Sequence, residues 1–195
     1  MTTWTFVGAV VIAIIGYLFV SGFLATWRRY RGARIITCPE NLEPAAVRVA
    51  AASAANSYAL TGVTSLRLET CSRWPEMAGC GQECLAQVES GPESCLVRSI
   101  VTSWYEGKSC AFCAKSIGDI VWHERPPALR RPDGTTVEWK ELRHEDLPGA
   151  FATCAPVCWP CHVRESFRRD HGELVIERPP HTEPRHAIPP SLTVY

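Results

Sequence analysis

The sequence predicts an α+β protein with one apolar N-terminal helix, long enough to cross a membrane, and a small cysteine-rich domain behind it. Three observations carry this reading. Residues 5–26 hold no charged side chain. Short alternating segments and a clear helical stripe follow one another through the rest of the chain. Ten of the 195 residues are cysteine, and four of these form two Cys-x-x-Cys pairs.

The apolar run from Thr5 to Thr26 is 22 residues long. As a helix it spans roughly 33 Å at about 1.5 Å per residue, enough for a bilayer core of about 30 Å. Trp4 and Trp27 bracket it, as interfacial tryptophans do. It is longer than the apolar region of a signal peptide, with no basic segment before it and no small-residue cleavage site after it. These features point to an uncleaved anchor. Arg28, Arg29, Arg31 and Arg34 follow within seven residues. By the positive-inside rule they place the N-terminus outside and the soluble part in the cytoplasm. Ala9, Ala13 and Gly16 share one helix face, where a second copy could approach closely to form a homodimer. A generic lipid-facing helix is the simpler reading of that face.

Beyond the anchor and its basic flank (1–34), residues 35–107 read as a cysteine-containing hairpin and a helix pair. Ile35–Thr37 leads through Cys38-Pro39 into an alternating segment ending near Val49, and Leu66–Cys71 suits another strand. Residues 50–62 are rich in Ala and Ser and leave helix or loop open. Residues 81–90 read as a short helix ending at Gly91. The next helix carries Leu96, Val97, Ile100, Val101, Trp104 and Tyr105 on one stripe and stops at Gly107. Residues 108–177 open on a tight turn at Cys110 and Cys113. A strand is expected at Asp119–Trp122, a hairpin around Pro132-Asp133-Gly134, a polar helix after Cys161 and a last strand from Leu174. Five prolines mark 178–195 as a disordered or extended tail.

Net charge is zero, so nothing global calls for nucleic acid. No phosphate loop, G-x-S-x-G or H-E-x-x-H motif is present, and no spacing selects a catalytic residue. His144-Glu145-Asp146 suits a solvated turn opening a short helix. Arg130-Arg131 and Arg168-Arg169 suit solvated faces or lipid head groups.

The cysteines carry the chemistry, and compartment decides which: disulfides outside the cell, metal or redox work in the cytosol. Cys110-x-x-Cys113 and Cys158-x-x-Cys161 stand 44 residues apart. Two such pairs supply the four thiolates of a tetrahedral zinc site. The first pair resembles a zinc knuckle. The second opens a helix, whose dipole favours thiolate. Knuckle, hairpin and Cys-x-x-Cys at a helix start is the order of treble-clef zinc fingers, which residues 108–170 resemble. A competing reading takes Cys158-Trp159-Pro160-Cys161-His162 as the attachment motif of an exported c-type cytochrome, which conflicts with the arginine-flanked topology and leaves Cys110 and Cys113 without a role. Cys154 and His162 are read as bystanders.

A second group, Cys71, Cys80, Cys84 and Cys95, is spaced by eight, three and ten residues. Cys80 and Cys84 share a helix face if a helix begins near Gly79. An antiparallel helix pair then brings Cys95 alongside, and Cys38 is a fifth candidate. The alternatives are a second zinc, an iron–sulfur cluster used for electron transfer or metal handling, or redox thiols. Cys84 and Cys95 also suit small apolar core positions.

Residues 71–85, 95–113 and 156–169 together resemble a group of uncharacterised bacterial membrane-anchored cysteine-rich proteins over residues 35–177. The resemblance implies an architecture and a bacterial inner membrane, and no reaction. The expected function is a non-enzymatic, cytoplasm-facing zinc adaptor or accessory subunit with the bilayer and a membrane protein as partners.

Overall fold

The computed structural model describes residues 2–77 and 79–174. The Pro-rich tail and all but the first residue of the expected final strand lie outside them. Leu174 itself belongs to a 3-10 turn, Gly172–Leu174.

The first helix, α1, runs from Thr2 to Tyr30. It is long and apolar enough to cross a membrane over Thr3–Tyr30, and none of its most apolar window is buried against protein. Its last turns are different. Thr26 and Tyr30 are buried, and the helix packs along α2 (Ala51–Thr61), with Gly22 facing the Tyr58 ring. The Ala- and Ser-rich stretch is therefore a helix whose small residues, Ala51, Ala54 and Ala55, allow this close approach. Gly32, at φ +102° against the Leu96 side chain, turns the chain from α1 into the first sheet. A side chain there meets both the positive φ and that contact.

Three antiparallel strands form that sheet: β1 (Ala33–Thr37), β2 (Pro44–Val49) and β3 (Leu68–Cys71), in the order β1-β2-β3. The expected hairpin and strand are present. Ile36, Val47, Val49 and Leu68 point into a core shared with Tyr30, Ala54 and Val88. Val88 comes from α3 (Leu85–Ser90). The sequence places that helix from 81. Instead residues 80–84 are loop and turn, with Gln82 at φ +57°. Its amide oxygen accepts from the Leu68 N–H at 2.9 Å, a tertiary bond that local periodicity does not report.

The striped helix, α4 (Val97–Tyr105), buries Val97, Val101 and Tyr105 against Leu129, Val137 and Leu147. These come from β4 (Ala128–Arg130), β5 (Thr136–Glu138) and α5 (Leu147–Thr153). The β4–β5 turn is the expected one: Gly134 takes φ +88°, and Asp133 accepts from the Thr135 N–H at 2.8 Å. The segment His144–Asp146 is a 3-10 turn leading into α5. A strand that the sequence does not announce, β6 (Ala155–Val157), pairs with β4 to give the order β5-β4-β6. Conversely, Asp119–Trp122 forms no strand. Trp122 packs edge-on against Trp139 and lies under Arg98 instead, so ring contacts, not a ladder, fix that segment. The last helix is α6 (Trp159–Asp170).

Arg34, grouped by sequence with the basic flank, is fully buried. Its guanidinium donates to the carbonyls of Tyr30 at 2.5 Å, Arg29 at 2.6 Å and Gly32 at 3.2 Å. It thus caps the C-terminal end of α1, where free carbonyls and the negative dipole end favour a cation. The exposed flank consists of Arg28, Arg29 and Arg31.

Candidate metal centre

Cys110 and Cys113 sit on a tight turn. The Cys110 N–H donates to the Lys115 carbonyl and the Ala114 N–H to the Cys110 carbonyl, both at 2.9 Å. Ala114 adopts φ +57° to close the turn, a conformation that costs a residue with a Cβ about 1–2 kcal/mol. Ala111 N–H donates to Pro156 on β6 at 2.9 Å, so the strand missed by sequence is what holds the turn against the second pair. Cys158 is the N-cap of α6, and Pro160 occupies its first turn, where a missing N–H leaves no bond unmade. Cys161 then lies one turn inside the helix. Its buried neighbour His162 is held through Nδ1, 2.9 Å from the Thr136 hydroxyl on β5.

These elements bring all four predicted ligands together. The sulfurs of Cys110, Cys113, Cys158 and Cys161 lie within 4.8 Å of one another, with Cys113 and Cys158 3.8 Å apart. A metal held tetrahedrally with metal–sulfur bonds of about 2.3 Å sets its sulfurs roughly 3.8 Å apart. The donor set and its spacing therefore fit one ion such as zinc.

The thiols themselves are electrostatically unequal. Burial disfavours ionisation of Cys110, but the N–H groups of Cys113, Cys158 and Phe112 outweigh it and bring the thiol down to about 6. Burial, followed by the crowding thiols of Cys158, Cys113 and Cys110, pushes Cys161 up to about 12. Burial likewise raises Cys158. Without a cation the group ionises once readily and then resists further charge; a divalent ion at the centre reverses that resistance.

The second predicted group is divided. Cys71, Cys80 and Cys84 line a cavity of about 220 Å³ together with Cys38. Burial raises the Cys84 thiol, and the charges of Cys71, Cys80 and Cys38 push it the same way. Cys95 is not among the lining residues. Its sulfur lies 3.2 Å from the Gly91 carbonyl and 3.6 Å from that of Pro92, beside the Arg34 guanidinium. Since the loop at 80–84 replaces the expected helix start, the helix pairing meant to bring Cys95 alongside is not formed. The one sequence signal for Cys38 was its place beside Pro39 at the end of a strand.

No family model, no curated protein and no solved structure matches this chain.

Proposed function

We propose that this chain is a membrane-tethered zinc protein of the bacterial inner membrane, anchored by α1, with its cysteine-rich domain on the cytoplasmic side. There it acts as a non-enzymatic adaptor or accessory subunit for a membrane protein partner. The observation that carries the reading is the gathering of the Cys110, Cys113, Cys158 and Cys161 sulfurs within 4.8 Å of one another. Four thiolates with no neutral or carboxylate ligand suit a closed structural site, because a catalytic zinc keeps one position for water or substrate. Zinc there fastens the knuckle to α6 across β6, a treble-clef-like arrangement, and supplies folding free energy to a domain of modest core. Arg28, Arg29 and Arg31 at the end of the apolar helix support the orientation. Exposed Val163 and Phe167 on α6 offer apolar surface to a partner.

Two measurements test this. Metal analysis of the detergent-solubilised chain is expected to return about one zinc at the Cys110 site; a chain without zinc overturns the metal assignment. Reporters fused after residue 174 are expected to be active only as cytoplasmic fusions. Activity only in the periplasm overturns the orientation.

A further inference from the structure

The cavity beside the first sheet gathers four cysteines from three separate places. Cys38 ends the β1 side of the first hairpin, where its N–H donates to the Glu43 carbonyl at 2.9 Å and its carbonyl accepts from the Leu42 N–H at 2.8 Å. Cys71 is the last residue of β3, in register with Val47. Cys80 and Cys84 lie on the loop before α3, which the Gln82–Leu68 bond ties back to the same sheet. Gln87 on α3 adds a second tie, donating to the Thr37 carbonyl at 2.7 Å and accepting from its N–H at 3.0 Å, next to Cys38. The four thiols are thus held around a common volume by hydrogen bonds to backbone that owe nothing to the cysteines themselves.

Two features distinguish this group from the first. Among the described residues the group of ligand atoms lying within 4.8 Å of one another is the Cys110 group, and the sulfurs of Cys38, Cys71, Cys80 and Cys84 do not form a second such group. All four also line one cavity of about 220 Å³. Cys84 is buried, and Cys38 and Cys71 pack partly buried against the first core, but all four, with the partly buried Cys80, also line the cavity wall. Four cysteines lining one cavity supply the thiolate set of a polynuclear centre, in which iron and sulfide fill the space between ligands.

We propose that Cys38, Cys71, Cys80 and Cys84 hold an iron–sulfur cluster, separate from the zinc site and without Cys95. The full chain is purified in detergent without oxygen and reconstituted with ferric iron, sulfide and a thiol reductant, which supplies the electrons a mixed-valence cluster needs. Iron and acid-labile sulfide are then counted beside zinc. The expected result is equal iron and sulfide, roughly two to four of each per chain, with a visible charge-transfer band. Cys38→Ser and Cys71→Ser each lose that iron at least severalfold while zinc stays at the wild-type level, and Cys95→Ser retains both. Hydrogen exchange across β1–β3 shows that the variants keep the first sheet, and the zinc count separates this proposal from the zinc assignment, since either metal can be absent without the other. Reconstituted wild type lacking iron and sulfide, a second zinc in their place, iron retained in Cys38→Ser, or iron lost in Cys95→Ser would each overturn the cluster.

Discussion

The two cysteine groups differ in how they are built. In the Cys110 group each pair is local: three residues of turn place Cys110 and Cys113, and one helical turn places Cys158 and Cys161. Only one long-range step, the Ala111–Pro156 bond across to β6, is needed to close it. In the Cys38 group every ligand except the Cys80–Cys84 pair comes from a different element, and the sheet does the gathering. The first site is therefore set by local geometry that spacing encodes. The second is set by strand register and by glutamine side chains reaching to backbone.

The largest test of that contrast is Cys113→Ser. One thiolate lost from a closed four-thiolate site is expected to lower zinc from about one per chain to near none and to unfold the region around β6 and α6, since structural zinc contributes on the order of 10 kcal/mol. Metal analysis with hydrogen exchange across 108–170 reads both effects. Protection around β1–β3 is expected to persist, and its loss would show that the two halves fold as one unit.

Next is Arg34→Ala, which leaves the α1 carbonyls uncapped and removes the cation beside Cys95. The expected loss is about 3 kcal/mol, or roughly 10 °C in Tm for a chain of this size, with zinc content unchanged. A Tm shift under about 2 °C would remove Arg34 from the junction's supports.

Acid comes third. Cys158 and Cys161 are raised, Cys161 to about 12, so both carry protons at pH 7 before metal binds. Metal must displace them, while Cys110, near 6, is already ionised. Zinc affinity therefore rises with pH and falls on acidification, by at least about a hundredfold per pH unit from the protons of Cys158 and Cys161 alone. Calorimetry in buffers of different ionisation enthalpy counts those protons. A count near zero at pH 7 would contradict the unequal thiols.

Much of the fold was legible in sequence because its signals were local. Alternation gave the β1–β2 hairpin, Asp133-Gly134 gave the β4–β5 turn, and the stripe from Val97 to Tyr105 gave α4. The Cys110 group was legible for the same reason, two Cys-x-x-Cys pairs being self-contained. What escaped notice depends on partners distant in the chain. β6 has only three residues and exists because β4 offers an edge. Arg34 reads as a flank charge until the end of α1 is seen to turn back over it. Cys95 loses its expected neighbours once residues 80–84 form a loop, and Cys38, legible only as a fifth candidate, lies 33 positions before Cys71 with no paired spacing to place it.

The unbroken course of α1 has a mechanical consequence. At about 1.5 Å per residue its 29 residues measure roughly 43 Å, some 13 Å more than a bilayer core of about 30 Å, and that excess is clamped along α2 and capped by Arg34. On the anchored reading there is no swivel between lipid and domain. The cysteine-rich part is then carried directly on the end of the helix, with Tyr58 and Leu60 of α2 exposed. On that reading, any tilt of α1 in the bilayer is passed directly to the first sheet through α2 and Arg34.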